Sequence, residues 1–414
     1  MKNKILLMIA DGLGDRPCEE LGFLTPLQYA KKENLNKLAA YGSCGIMDLH
    51  KAGTPVGTDL GHMILFGYSL KDYPGRGPIE AFGNDIELQA GDIAFRCNFA
   101  TVDENQVVVD RRAGRIRRGT GELAKAINGM EVDGVRVIFK ESTEHRAVLV
   151  LRGESLSEKV ADTDPKTEGL AVKTPPAPQD NDEASARTSL IIGRIQQKIF
   201  EILDQHPVNV ERAKQGLLKA NYVLTRGAGK MPRLEKTAER YKVRAACVAC
   251  ESTVLGVAKL AGFTTITHES FTGNIDTNIE MKCRLAVEAL KEHDFVVLHY
   301  KATDLMGHDN DPLGKVKAIE IYDRMAGIIL QSAQAAIKEN LIIALAADHS
   351  TPCERREHSG DPVPVVISGK NIRNDAVTSY DEVSVSAGAL SRISGNEFFN
   401  TLFDYLEATK KEGN

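Results

Sequence analysis

The sequence predicts an α/β fold, a mostly parallel sheet with helices on both faces plus an inserted smaller α+β domain, and three observations carry that prediction. Apolar runs of strand length, Lys4–Ala10, Phe295–Tyr300 and Leu341–Ala347, are continuous rather than alternating, as in strands buried on both faces. Helix-like segments over 276–293 and 314–339 alternate with the later runs, the order expected of a parallel sheet. Residues of related chemistry gather at 11–58 and again at 304–358, so the stretch between them is at least partly an insertion. A chain of 414 residues is also long for a single core. The expected boundaries are 1–80 with 215–414 for a discontinuous outer domain and 81–214 for the insert.

The first strand runs directly into Asp11-Gly12-Leu13-Gly14. Gly-x-Gly without a third glycine is a weak dinucleotide signal, and it reads better as a turn that lets Asp11 approach a metal. Next, Gly57-Thr58-Asp59 precedes an apolar run of helix length. A helix N-terminus favours anions, which makes Thr58 a candidate nucleophile, although plain N-capping by a threonine explains the same position. His62, four residues on, either touches a substrate or merely sits on the same helix.

Within the insert, Arg96, Arg111, Arg112, Arg115, Arg117 and Arg118 form the densest run of guanidinium groups. A net charge of −5 and a pI near 6.1 argue against a nucleic-acid partner, and the absence of Trp removes the usual stacking platforms. Arginine also pairs bidentately with carboxylate and phosphate, and the alternative is a solvated surface. The polar, proline-rich stretch over 163–182 predicts extended loop. A long amphipathic helix follows over 181–205, with Leu190, Ile191, Ile195, Ile199, Phe200 and Leu203 as its core stripe.

The last two strands lead into the richest segments. Phe295–Tyr300 precedes Lys301, Asp304, His308 and Asp311, and Leu341–Ala347 precedes Asp348, His349 and then His358. A lone Asp-x-x-x-His is common on helix surfaces. Here each cluster lies just past a strand end, where open α/β sheets bind their ligands. Asp and His hold Mn²⁺ or Zn²⁺, and two such ions side by side clamp a phosphoryl group, so the pattern points to phosphate chemistry. Seven cysteines without framework spacing read as buried free thiols, Cys247 and Cys250 included. No signal peptide is evident and no apolar run approaches about 18 residues, so no membrane association and a cytoplasmic location are expected.

Several stretches together make the chain resemble a known family. They are Ala10-Asp-Gly-Leu-Gly14, Gly75-Arg-Gly-Pro-Ile-Glu-Ala81, Phe95-Arg-Cys-Asn-Phe99, Asp110-Arg-Arg-Ala-Gly-Arg-Ile116, Asp162-Thr-Asp-Pro165, Arg226-Gly-Ala-Gly229, Lys301-Ala-Thr-Asp304, Gly307-His-Asp309 and Ala347-Asp-His-Ser-Thr-Pro352. In that order they resemble the archaeal-type cofactor-independent phosphoglycerate mutases of the alkaline phosphatase superfamily. The resemblance implies an alkaline-phosphatase-like sheet, with the insert as a substrate-binding lid. It also implies one divalent ion held by Asp304, His308 and His358, and a second held by Asp11, Asp348, His349 and the Thr58 hydroxyl. Lys301 is implied to be catalytic, facing the substrate or the transferred phosphate, and Arg96, Arg111 and Arg115 are implied to bind the substrate.

The implied reaction interconverts 3-phosphoglycerate and 2-phosphoglycerate, a small phosphorylated carboxylate, without 2,3-bisphosphoglycerate. A phosphothreonine would be its intermediate. Mn²⁺ is the expected metal, with Zn²⁺, Co²⁺ or Fe²⁺ also acceptable to these ligands. The family pattern usually has Ser where this chain has Thr58. That departure keeps alive a metal-dependent phosphatase, phosphonate hydrolase or phosphotransferase acting on another small hydroxy compound. A catalytically idle metal-binding protein is disfavoured, because all seven metal positions are present.

Overall fold

The computed structural model describes residues 3–231, 233–337 and 340–413. The chain divides into two compact units, Met1–Tyr73 with Leu234–Asn414, and Pro74–Arg233. The first is built on an eight-stranded sheet in the order Thr264–Ile266, Ala245–Val248, Phe295–Tyr300, Asn3–Ala10, Asn340–Ala346, Val363–Gly369, Gly42–Asp48 and Ser391–Ser394. Its first five strands are mutually parallel, and Val363–Gly369 runs antiparallel to both of its neighbours. Ile5–Ala10 and Phe295–Tyr300 are buried at every position, which is why their sequences are continuous rather than alternating.

Two groups of helices flank this sheet. Pro312–Ala336 packs against Ile279–Glu292, Ala302–Asp309 and Glu33–Ala40, while Thr58–Leu65 packs against Ser252–Leu260 and Gly395–Tyr405. The helix expected over 314–339 begins two residues earlier, because Asp311 caps it by accepting the Gly314 N–H at 2.8 Å and Pro312 presets its first turn. Residues 338 and 339 of that expectation lie outside the described residues.

The second unit is an antiparallel sheet in the order Val108–Asp110, Ile93–Val102, Arg146–Arg152, Val135–Glu141 and Glu131–Val132, with Tyr222–Lys230 also paired to Ile93–Val102. Its side chains alternate. Ile93, Phe95, Cys97 and Phe99 join a core with Ile191, Ile195 and Ile199 of the helix Glu183–Asp204, whereas Ala94, Val148 and Val150 pack with Ala81 and Ile86. On that helix Leu190 is 56% exposed, against expectation. The buried row runs 191, 195, 199, 203, and a residue one position off that row points outward. Phe200 is only partly buried, against a smaller cluster around Tyr222 and Leu224.

The divisions at 73/74 and 233/234 differ from those expected at 80/81 and 214/215. The helix Arg76–Gly83 lies so close on the strand Ile93–Val102 that a Cβ at Gly77 would collide with the Ala94 carbonyl. The strand Tyr222–Lys230 pairs along the same partner, from Ile93↔Lys230 to Ala100↔Tyr222. Both elements therefore belong with the insert. All seven cysteines are free, six of them buried and Cys250 half-buried. Among the described residues no helix is long and apolar enough to cross a membrane.

Gly61 shows how packing on the large sheet sets the site. It lies on Thr58–Leu65, and a Cβ there would collide with the Asp348 carbonyl. Gly61→Ala is expected to cost about 1–3 kcal/mol, the usual penalty for overpacking, read as a lower midpoint in urea denaturation.

Candidate metal centre

Three parallel strands end in register at one edge of the large sheet. Ala10 pairs with Tyr300 and Ile9 with Ala346, so Asp11, Lys301 and Asp348 emerge side by side. The Asp11 N–H donates to the Tyr300 carbonyl at 2.9 Å, which fixes the departure of the first loop. Lys301 opens the helix Ala302–Asp309, and that helix places Asp304 and His308 on one face, four residues apart.

The result is two triads. Asp304, His308 and His358 form one, Asp11, Asp348 and His349 the other, and within each the ligand-type atoms lie within 4.8 Å of one another. The second triad is fully buried, whereas His308 and His358 are half-buried. Thr58 Oγ1 lies 3.2 Å from His349 Nε2. Thr58 is the first residue of its helix, the N-cap is Gly57, and no side chain caps this end. The N-capping reading of Thr58 is therefore set aside, and its hydroxyl turns to the second triad.

The hydrogen bonds around the imidazoles determine which nitrogen each presents. His308 Nδ1 is 2.9 Å from the Arg356 carbonyl, and His358 Nδ1 is 2.9 Å from the Val56 carbonyl. A carbonyl only accepts, so both Nδ1 atoms carry protons and both Nε2 atoms offer lone pairs. Those Nε2 atoms are 3.2 Å apart and lie 3.4 and 3.6 Å from Asp304 Oδ1. Such a convergence of lone pairs is the donor set of a divalent ion, and the second triad, with two carboxylates and His349 Nε2, fits one equally well.

The charges are strongly coupled. Burial opposes ionisation of Asp304, yet the Lys301 ammonium beside it holds its carboxyl well below the usual range. Burial likewise disfavours a charged His349, but Asp348, Asp11 and Asp304 raise it to about 9. Lys301 Nζ bridges the triads, 3.0 Å from Asp11 Oδ1 and 2.7 Å from Asp304 Oδ2.

His62 does not fit the role of a substrate contact. Its side chain is fully buried, with Nδ1 2.8 Å from the Thr58 carbonyl and 3.3 Å from Asp348 Oδ2. It braces the helix Thr58–Leu65 against a triad carboxylate. His299 was not legible as part of the site. It sits inside the strand Phe295–Tyr300, wholly buried, with Nε2 2.9 Å from Asp11 Oδ2, and a His within an apolar run gives no sign in sequence of what it faces.

The expected substrate arginines all lie in the second unit. Arg111 makes a bidentate pair with Asp164, at 2.9 and 2.7 Å, so its guanidinium fork is already engaged. Arg115 is exposed, with a backbone φ of 54°. Arg96 is different: its Nε is buried without a hydrogen-bond partner and lies 3.9 Å from Glu80, with Arg76, Arg146 and Arg226 close enough to perturb it. Burial and then the charge of Arg76 push its pKa down to about 9. Arg76, Arg146 and Arg226 lie far apart in sequence and outside the dense arginine run, so only the fold groups them with Arg96.

Comparison with known proteins shows the family. The family model described as 2,3-bisphosphoglycerate-independent phosphoglycerate mutase matches residues 39–209. A 2,3-bisphosphoglycerate-independent phosphoglycerate mutase of Methanocaldococcus jannaschii is 44% identical over 414 residues, which cover 100% of this chain and 99% of that protein. Among solved structures, a protein of Pyrococcus horikoshii matches with a TM-score of 0.85 and 37% identity, over 100% of both chains. A cofactor-independent phosphoglycerate mutase of Thermoplasma acidophilum matches with a TM-score of 0.72 and 36% identity, over 98% of this chain and 100% of that one. With the two triads and the full-length similarity in agreement, the chain belongs to the 2,3-bisphosphoglycerate-independent phosphoglycerate mutase family.

Proposed function

We propose that this chain interconverts 3-phosphoglycerate and 2-phosphoglycerate without 2,3-bisphosphoglycerate, by way of a phosphothreonine at Thr58. The observation that carries the reading is the position of the Thr58 hydroxyl, at a helix N-terminus and 3.2 Å from a nitrogen of the buried triad. Asp304, His308 and His358 hold one divalent ion, and Asp11, Asp348, His349 and the Thr58 hydroxyl hold the other. Mn²⁺ is the first choice, and these ligands also suit Zn²⁺, Co²⁺ or Fe²⁺. When bound, such ions supply Lewis acidity to the phosphoryl group and its attacking oxygen.

The protein's own groups do the rest. Thr58 Oγ gives up its proton and attacks phosphorus, forming its O–P bond as the bond to the substrate oxygen breaks, and the departing alkoxide takes up a proton in turn. The other hydroxyl of the same glycerate then attacks phosphorus and releases Thr58 as a free hydroxyl. The helix N-terminus at Thr58 favours the negative charge that builds up there, and Lys301 brings a cation to the same edge of the sheet. The Thr58 methyl restricts its χ1, which narrows the directions open to the oxygen at the cost of some adaptability. We assign Arg96 to substrate binding, because a planar guanidinium fork matches carboxylate and phosphate geometry.

Metal-stripped protein given 3-phosphoglycerate and Mn²⁺ is expected to form 2-phosphoglycerate with little free phosphate. Release of phosphate alone would point to a hydrolase on the same scaffold. Thr58→Val should lower kcat by about 10⁴- to 10⁶-fold, the usual loss for a covalent nucleophile, whereas Thr58→Ser should retain turnover. Arg96→Lys keeps the charge but loses the fork, and it should raise KM about 10- to 100-fold with a smaller change in kcat. An unchanged KM would remove Arg96 from substrate binding.

A further inference from the structure

Thr351 follows His349 by two residues, is fully buried, and has all its polar atoms in use. Its N–H donates to the Gly14 carbonyl at 3.1 Å, and its carbonyl accepts from Lys315 Nζ at 2.9 Å. Its Oγ1 lies 2.7 Å from Asp304 Oδ1, in one triad, and 3.0 Å from His349 Nδ1, in the other.

A hydroxyl has a single proton to give. The Asp304 carboxylate can only accept, so the Thr351 proton goes there, and Oγ1 in turn accepts the Nδ1–H of His349. One oxygen thus sets the carboxylate of the first triad and the ring of the second. The same bond leaves His349 Nε2 as the atom facing Thr58 Oγ1 at 3.2 Å, Asp348 Oδ2 at 3.2 Å and Asp11 Oδ1 at 3.4 Å.

The surrounding backbone is built to admit this hydroxyl. Gly12 has a φ of 62°, and a Cβ there would lie 2.5 Å from Thr351 Oγ1 and 2.7 Å from Asp304 Oδ1. A Cβ at Gly307 would collide with the Thr351 carbonyl. Lys315, itself wholly buried, is held by Asp15 at 2.8 Å and ties the Gly14 and Thr351 carbonyls together.

We propose that Thr351 is a positioning residue that couples the two metal sites, so that the affinity of each depends on the order of the other. The proposal rests on the two-metal reading of the triads. It predicts linked behaviour, because a change at either partner of the shared oxygen alters the hydrogen bond to the other.

The test uses metal-stripped full-length protein, titrated with Mn²⁺ by calorimetry and with Co²⁺ by visible absorption, for the parent, Thr351→Val and Thr351→Ser. The parent is expected to bind two ions. Thr351→Val should weaken both sites by about 10- to 100-fold, the usual loss for an outer-shell partner, and alter the Co²⁺ bands. Thr351→Ser keeps the hydroxyl and should restore affinity and spectrum together. Loss at one site only, or unchanged affinities and bands in Thr351→Val, would overturn the coupling, as would a folded Thr351→Ser that behaves like the valine variant. A parent that binds fewer than two ions would remove the two-metal reading and the coupling with it, an outcome visible before any variant is compared. Thermal melting of the metal-free proteins checks folding, and Thr351→Ala takes the place of Thr351→Val, with the same outcomes, should the valine variant not fold.

Discussion

Three carboxylates, Asp11, Asp304 and Asp348, lie buried together at one edge of a sheet, and the rest of the site is organised by the need to hold them there. Buried charge is expensive unless paired and hydrogen-bonded. The fold meets that need from every side. Lys301 bridges Asp11 and Asp304, His299 donates to Asp11, His62 and His349 crowd Asp348, Thr351 donates to Asp304, and the Gly12 N–H donates to Asp348 Oδ1 at 3.1 Å. Carboxylates concentrated in this way, with imidazole lone pairs turned toward them, make a place for divalent cations and, through those, for a phosphoryl group.

The parallel sheet makes such crowding possible. Strands that share a direction and register bring their C-terminal ends to one edge, so residues about 290 and 340 positions apart in sequence become neighbours across one or two ladder spacings. The loops that follow are held by close backbone contacts, which explains the glycines at 12, 61 and 307, where a Cβ would strike a triad residue or Thr351. Thr58 is placed by the same logic. It starts a helix that reaches Asp348 through Gly61, and His62 joins its backbone to that carboxylate.

Much of this was legible in sequence, for identifiable reasons. Buried parallel strands announce themselves as unbroken apolar runs, and a ligand pair on one helix turn, Asp304 and His308, carries its own spacing. Residues whose role depends on what lies across the fold were not legible. His299 reads as part of a strand, Thr351 carries no sign in sequence of what it faces, and Arg76, Arg146 and Arg226 are scattered over about 150 positions. The insert boundary was misplaced because Tyr222–Lys230 finds its partner about 130 residues earlier, and strand pairing at that range leaves no local mark. For His62 the spacing leaves both a substrate contact and a mere place on the Thr58 helix open, because it puts the residue near Thr58 but says nothing of its burial.

In the proposed reaction Thr58 carries the phosphoryl group between the two hydroxyls of one glycerate. Mn²⁺-loaded protein mixed with 3-phosphoglycerate, quenched in acid within the first turnovers and digested for peptide mass spectrometry, is the test of that transfer. A phosphate on the peptide containing Thr58, assigned to Thr58 by fragmentation, is the predicted result. Formation of 2-phosphoglycerate with no phosphopeptide under conditions that trap phosphothreonine, or with the phosphate on another residue, would contradict it.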